Sequence, residues 1–153
     1  MRLIVEWEPT NAAMIIDKFS LFAWFKEFAW RHGLISERST VTAMLKNREC
    51  AGDTSLSETL ANPHIQSSTV IEPALVFLKL PVPCSGWGTT PISRVLFTLL
   101  PEDVTTAQVA PLENFYRQIA EEDVMRKLCS DELREVESVF EALDVGNIQT
   151  INN

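Results

Sequence analysis

Histidine and cysteine, the side chains most used in covalent and metal chemistry, are scarce here: two and three among 153 residues. Cys50, Cys84 and Cys129 are too few and too scattered for a disulfide framework, and their spacing matches no zinc motif. Five glycines are present, with no Gly-rich phosphate loop among them. No carboxylate dyad or Ser/His/Asp order stands out, and neither a cofactor nor a metal is expected. Basic residues are in the minority, 13 against 21 acidic, so the formal net charge is -8 and the pI near 4.7. An acidic surface repels polyanions, which argues against nucleic acid and anionic membranes and favours a partner with a basic docking face. No segment reaches the roughly 18–20 apolar residues that span a bilayer, so no membrane insertion is expected. "MRLIVEWEPT" is a poor secretory signal, having one Arg and a short apolar run before two Glu. Together these features describe a reduced, cytoplasmic protein.

What remains is the content of an ordinary globular domain: 46% hydrophobic residues, 22% charged, no repeats and no linker. "LIVEW" (3–7) reads as a short strand ended by Pro9. Thr10 or Asn11 caps a helix to about Arg31, closed by Gly33 in the left-handed conformation, and His32 belongs to that helix end. A second helix spans about Glu37 to Asn47 with Ser36 as cap. "ALVFLKL" (74–80) and "RVLFTLL" (94–100) read as buried strands bounded by Pro73, Pro81 and Pro101. Thr105 or Thr106 starts another helix, in which Pro111 marks a kink or a later start. Amphipathic segments at 121–128 and 131–143 follow, the second capped by Ser130, and residues 144–153 read as a frayed tail. Strands interleaved with helices give a single α/β domain over 1–153, a mixed sheet with helices on both faces. The first helix carries Phe19, Phe22, Trp24, Phe25, Phe28 and Trp30, more apolar surface than one sheet face needs. The surplus is buried by a neighbouring helix or forms a homodimer face, and the second reading is preferred.

His64 follows a proline in "LANPHIQSS". A neutral imidazole is a nucleophile near pH 7, and Pro63 presets a first helical position whose free N–H groups suit an anion. The stretch "LKNRECAGDTSLSETLANPH" resembles the segment that defines the fructose/mannitol class of enzyme IIA domains of the bacterial sugar phosphotransferase system, nitrogen-regulatory relatives included. In that family an Arg-Glu pair ends a helix, a Ser/Thr-Thr-Gly turn follows, and a small residue precedes Ile-Pro-His. Arg48 and Glu49 lie 16 and 15 residues before His64, Thr54 lies 10 before it, and Ala61 and Pro63 fall in register. "GLISERSTVTAML" and "SDELREVESVFEAL" resemble the family's second-helix entry and closing helix.

The resemblance implies a phosphoryl carrier that accepts its group on His64 from a histidine phosphocarrier protein. Transport members pass it to a sugar-permease cysteine domain, and regulatory members act on a target protein. Arg48 would neutralise phosphoryl oxygens and Thr54 would orient the site; read without the family, Arg48 caps a helix and Thr54 fills a turn. Ser57, Thr59 and Asn62 replace two glycines and an apolar residue. Gln108 stands where a second active-site histidine is usual, and it can donate a hydrogen bond but not shuttle a proton. The alternative is therefore a regulatory or degenerate enzyme IIA-like domain that binds a partner without efficient transfer.

Overall fold

A computed structural model describes every residue from Met1 to Asn153. Its elements run β1 (Arg2–Trp7), α1 (Lys18–Arg31), α2 (Val41–Ala51), β2 (Leu60–Ala61), β3 (His64–Ser67), β4 (Ala74–Cys84), β5 (Ile92–Pro101), α3 (Thr106–Ile119), α4 (Glu122–Leu128), α5 (Leu133–Glu141) and β6 (Ile148–Asn152). The strands form one mixed sheet in the order β2-β5-β4-β1-β6, with β3 also beside β5. β1 is parallel to β4 and β6, β4 and β5 are antiparallel, and β2 and β3 run parallel to β5. β2 and β3 pair with consecutive stretches of β5, so they are one edge strand interrupted at Asn62-Pro63. Proline has no N–H to give a ladder, which confines it to such an edge.

Both faces of the sheet are covered, which is why its central strands are apolar without alternation. Ala74, Val76, Leu78, Val95 and Phe97 face α1 and α2, where Phe22, Phe25, Phe28 and Leu45 are buried. Leu3, Val5, Leu75, Phe77 and Leu96 face α3 and α5, against Leu112, Phe115, Val136 and Phe140. Phe22, Trp24, Phe25 and Phe28 of α1 are thus buried within the chain, and Phe19 and Trp30 remain exposed.

Several sequence expectations shift. α1 starts at Lys18, not after Thr10 or Asn11, because Asp17 and Ser20 form a reciprocal capping box. Gly33 closes it with φ +67° as expected. α2 starts four residues later than expected, since Glu37 closes a turn onto Ser39 and Thr40 and Ser36 bonds to Thr69. It also runs four residues further, which puts Arg48 and Glu49 in its last turn. β4 continues past Pro81 to Cys84 through a register shift. α3 is capped by Thr105 and keeps Pro111 inside it. Ser130 does not cap α5; its hydroxyl accepts from the N–H of Glu132, the residue directly before the helix. Residues 148–152 of the expected frayed tail instead pair with Leu3–Trp7 of β1.

Candidate functional site

His64 opens β3 rather than a helical turn, so the expected helix-start anion site is not formed there. Its side chain is held by two contacts. Arg48 Nε donates to His64 Nε2 at 2.9 Å, and His64 Nδ1 lies 3.4 Å from the backbone oxygen of Asn62. A guanidinium N–H can only donate, so Nε2 is an acceptor and the ring proton belongs on Nδ1, facing that carbonyl; the tautomer is assigned from this network. The lone pair of Nε2, which accepts from Arg48, is then the nucleophile. Arg48 also donates through Nη1 to Gly52 O at 3.1 Å, closing the end of α2. Of its five donors two are used, which leaves three for an anion.

The two residues border an open cavity of about 340 Å³. Asp53, Thr54, Asn62, Thr98 and Tyr116 share its lining. Hydrogen bonds from the Ser55 N–H and hydroxyl hold the Asp53 carboxyl below its usual range. Thr54 is buried, and its hydroxyl donates to Glu49 and accepts from the Trp87 indole at 3.2 Å. The other Glu49 oxygen takes Lys18 at 2.9 Å, and Lys18 lies over the Trp87 ring. Thr54 therefore anchors the turn beside His64, its hydroxyl already committed. On the far side, Asn62 Nδ2 donates to the Tyr116 hydroxyl at 2.8 Å, and that hydroxyl bonds to Thr98 Oγ1. Burial pushes the Tyr116 phenol up.

His64, Arg48 and Thr54 are thus brought together. Gln108 is not. It is exposed, its side-chain oxygen accepts from the Thr105 N–H at 2.8 Å, and it lies outside the lining of the His64 cavity. The physical reason is the capping box of α3, in which the Gln108 N–H in turn donates to Thr105 Oγ1 at 3.1 Å. Tyr116, two turns further along α3, presents the polar group to the cavity instead. His32 keeps its structural role at the α1 terminus: its ring packs on Phe28, and burial with Arg31 and Arg2 lowers its pKa. Thr98 and Tyr116 escaped the sequence reading, although a lone threonine inside "RVLFTLL" and the only tyrosine were visible signals.

Residues 17–143 match the family model for the EIIA 2 component of the phosphoenolpyruvate-dependent sugar phosphotransferase system. The chain belongs to that family. The matched range contains the whole cavity and leaves β1 and β6 outside it. No curated protein sequence matches significantly. Among solved structures, nitrogen regulatory protein IIA-Ntr from Neisseria meningitidis is similar, with TM-score 0.66 and 20% identity over 90% of this chain and 92% of that one. IIA mannitol from Escherichia coli superposes with TM-score 0.58 and 18% identity, covering 87% and 94%. The mannitol IIA in complex with phosphorylated IIB from Escherichia coli gives 0.60 and 15%, covering 89% and 99%. At these identities the likeness is one of fold. This enzyme IIA domain has no helix long and apolar enough to cross a membrane.

Proposed function

We propose that this domain is a cytoplasmic phosphoryl carrier that accepts its group on Nε2 of His64 from a histidine phosphocarrier protein. The observation that carries the reading is the Arg48–His64 pair, a fixed cation 2.9 Å from an unprotonated ring nitrogen at an accessible cavity. In the transfer, the Nε2 lone pair forms a new N–P bond while the donor's N–P bond breaks. The breaking pair returns to the donor imidazole, and the Nδ1 proton stays where it is. Such chemistry asks for positioning and for charge stabilisation on the phosphoryl oxygens, with little proton movement. Arg48 releases Nε2 and turns its donors to those oxygens, which a guanidinium fork suits. Thr54 holds the neighbouring turn.

The next acceptor is a cysteine domain of the IIB kind, the partner type seen with the mannitol relative, or else a regulatory target. The regulatory reading draws on one feature: Asn62, Thr98 and Tyr116 line the cavity, and His64 is its single histidine. A domain so built takes up a phosphoryl group without a second titrating imidazole to assist its release.

The test is incubation with a phosphotransferase relay and labelled phosphoenolpyruvate, followed by mapping of the label. The label is expected on His64, lost in acid and stable in base, as for a phosphoramidate. His64→Ala abolishes it. Normal labelling of His64→Ala would overturn the reading.

A further inference from the structure

We propose that the cluster of Asn62, Thr98 and Tyr116 positions His64, holding the Asn62 carbonyl so that the ring proton stays on Nδ1 and Nε2 keeps its lone pair. Its functional consequence rests on the carrier reading above, whereas its geometry can be tested without it. The problem these residues solve is local. Asn62-Pro63 is the gap between β2 and β3, where the edge strand loses its ladder, and the carbonyl that fixes the imidazole sits in that gap. At 3.4 Å the contact from Nδ1 is long, so a small drift of the carbonyl would release the ring.

Three anchors oppose that drift. The Asn62 N–H donates to Thr54 O at 2.8 Å, and Pro63 O accepts from the Thr98 N–H at 3.1 Å. The third anchor is the Asn62 side chain. Its Nδ2 donates to the Tyr116 oxygen, the Tyr116 hydroxyl can donate to Thr98 Oγ1, and the Thr98 hydroxyl to Asn62 Oδ1 at 3.4 Å. Each donor is then used once and the ring closes, which fixes the amide's orientation as well as its place. Asn62 and Thr98 are 5% and 4% exposed, and Thr98 is the register partner of His64 on β5. Burying Asn62 and Thr98 against a half-buried Tyr116 costs desolvation. By the resemblance to the family an apolar residue is usual at position 62, so this chain carries a polar device of its own directly behind the acceptor.

The experiment reads the His64 tautomer by two-bond 1H–15N correlation above its titration, with His32 as internal control, alongside single-turnover labelling by a phosphorylated histidine carrier. The wild type is expected to hold the proton on Nδ1. Tyr116→Phe, by removing the closing hydroxyl, should admit the Nε2–H form. The labelling rate should then fall with the competent fraction, roughly two- to fivefold, with KM for the donor unchanged. Thr98→Val, which leaves the Asn62–Tyr116 bond in place, should shift both readouts less and in the same direction, and it decides the matter if Tyr116→Phe does not fold. A wild-type Nε2–H tautomer overturns the proposal. So does a folded Tyr116→Phe, or failing that Thr98→Val, with wild-type tautomer and rate; normal label on it then leaves the carrier reading intact. A tautomer that shifts as expected in a chain that never takes label upholds the positioning and defeats the carrier reading.

Discussion

Replacing Arg48 separates a carrier from a passive fold. Arg48→Ala removes the donor 2.9 Å from Nε2 and three further N–H groups of a residue that lines the cavity, together with the bond to Gly52 O at 3.1 Å. A hydrogen bond to a charged group contributes about 1.5–3 kcal/mol, and a factor of ten in rate corresponds to about 1.4 kcal/mol, so labelling should slow roughly 10- to 150-fold. Arg48 is only half-buried and solvent screens it, which favours the lower end of that range. Arg48→Lys restores a point charge without the fork and should fall between the two. Quench-flow labelling from a phosphorylated histidine carrier measures the rate, and a thermal melt controls for the lost Gly52 bond. A folded Arg48→Ala that labels within about twofold of wild type would refute the charge argument.

Other consequences are more easily checked. Because Gln108 is tied to Thr105, Gln108→Leu and Gln108→His should leave labelling unchanged, and the leucine variant should cost under about 1 kcal/mol in a thermal melt through the lost capping contact. A clear gain in labelling by Gln108→His would return that residue to the site. Glu6 is 5% exposed and burial raises its pKa, so the folded state binds its proton more tightly than the unfolded one; the stability this proton gives is present below the unfolded value and lost as pH rises. Glu6→Gln should therefore raise Tm at pH 7 and lose that advantage near pH 4, while an equal shift at both values would contradict the assignment. The homodimer read from α1 is left with Phe19 and Trp30, which lie beneath Lys46 and Arg38, so light scattering at micromolar concentration should show a monomer.

The sequence is most legible where packing dictates composition. β4 and β5 are covered on both faces, so their apolar runs announce them, and the helices on either side follow from their periodicity. β6 and β3 are illegible for the opposite reason. "IQTIN" and "HIQS" are short and mixed, and they become strands only by backbone pairing with β1 and β5 far away in the chain. Helix starts are misread wherever a cap takes a form other than the commonest, as at Asp17-Ser20. In the site, Arg48, Thr54 and His64 are legible through the resemblance to the family, and they come together because a helix end, a turn and an edge strand meet there. Gln108 is the instructive miss. Thr105-Thr106-Ala107-Gln108 is itself a capping-box pattern, and its local bonding prevails over the position in the family.

The remaining question is why Arg48 is free to face His64 when a glutamate is its neighbour in sequence. Glu49 is 5% exposed at its side chain and carries a charge that would otherwise draw the guanidinium. Both of its oxygens are engaged, one by Lys18 at 2.9 Å and the other by the Thr54 hydroxyl, with Trp87 packed against the pair. Breaking a buried pair by removing one partner leaves an uncompensated charge, so Glu49 is bound firmly to that side. Arg48 bonds only to the imidazole and to a carbonyl. The opposite wall is held by Asn62, Thr98 and Tyr116, none of which carries charge. The cavity therefore sets Arg48, which pairs with no carboxylate, beside the Nε2 acceptor, while the Asp53 carboxylate in the same lining is engaged by Ser55 and the Lys18 and Glu49 charges offset each other beneath it. On the carrier function proposed above, an arriving phosphoryl group would meet attraction from Arg48 without displacing an existing ion pair, which would keep the energetic cost of acceptance low.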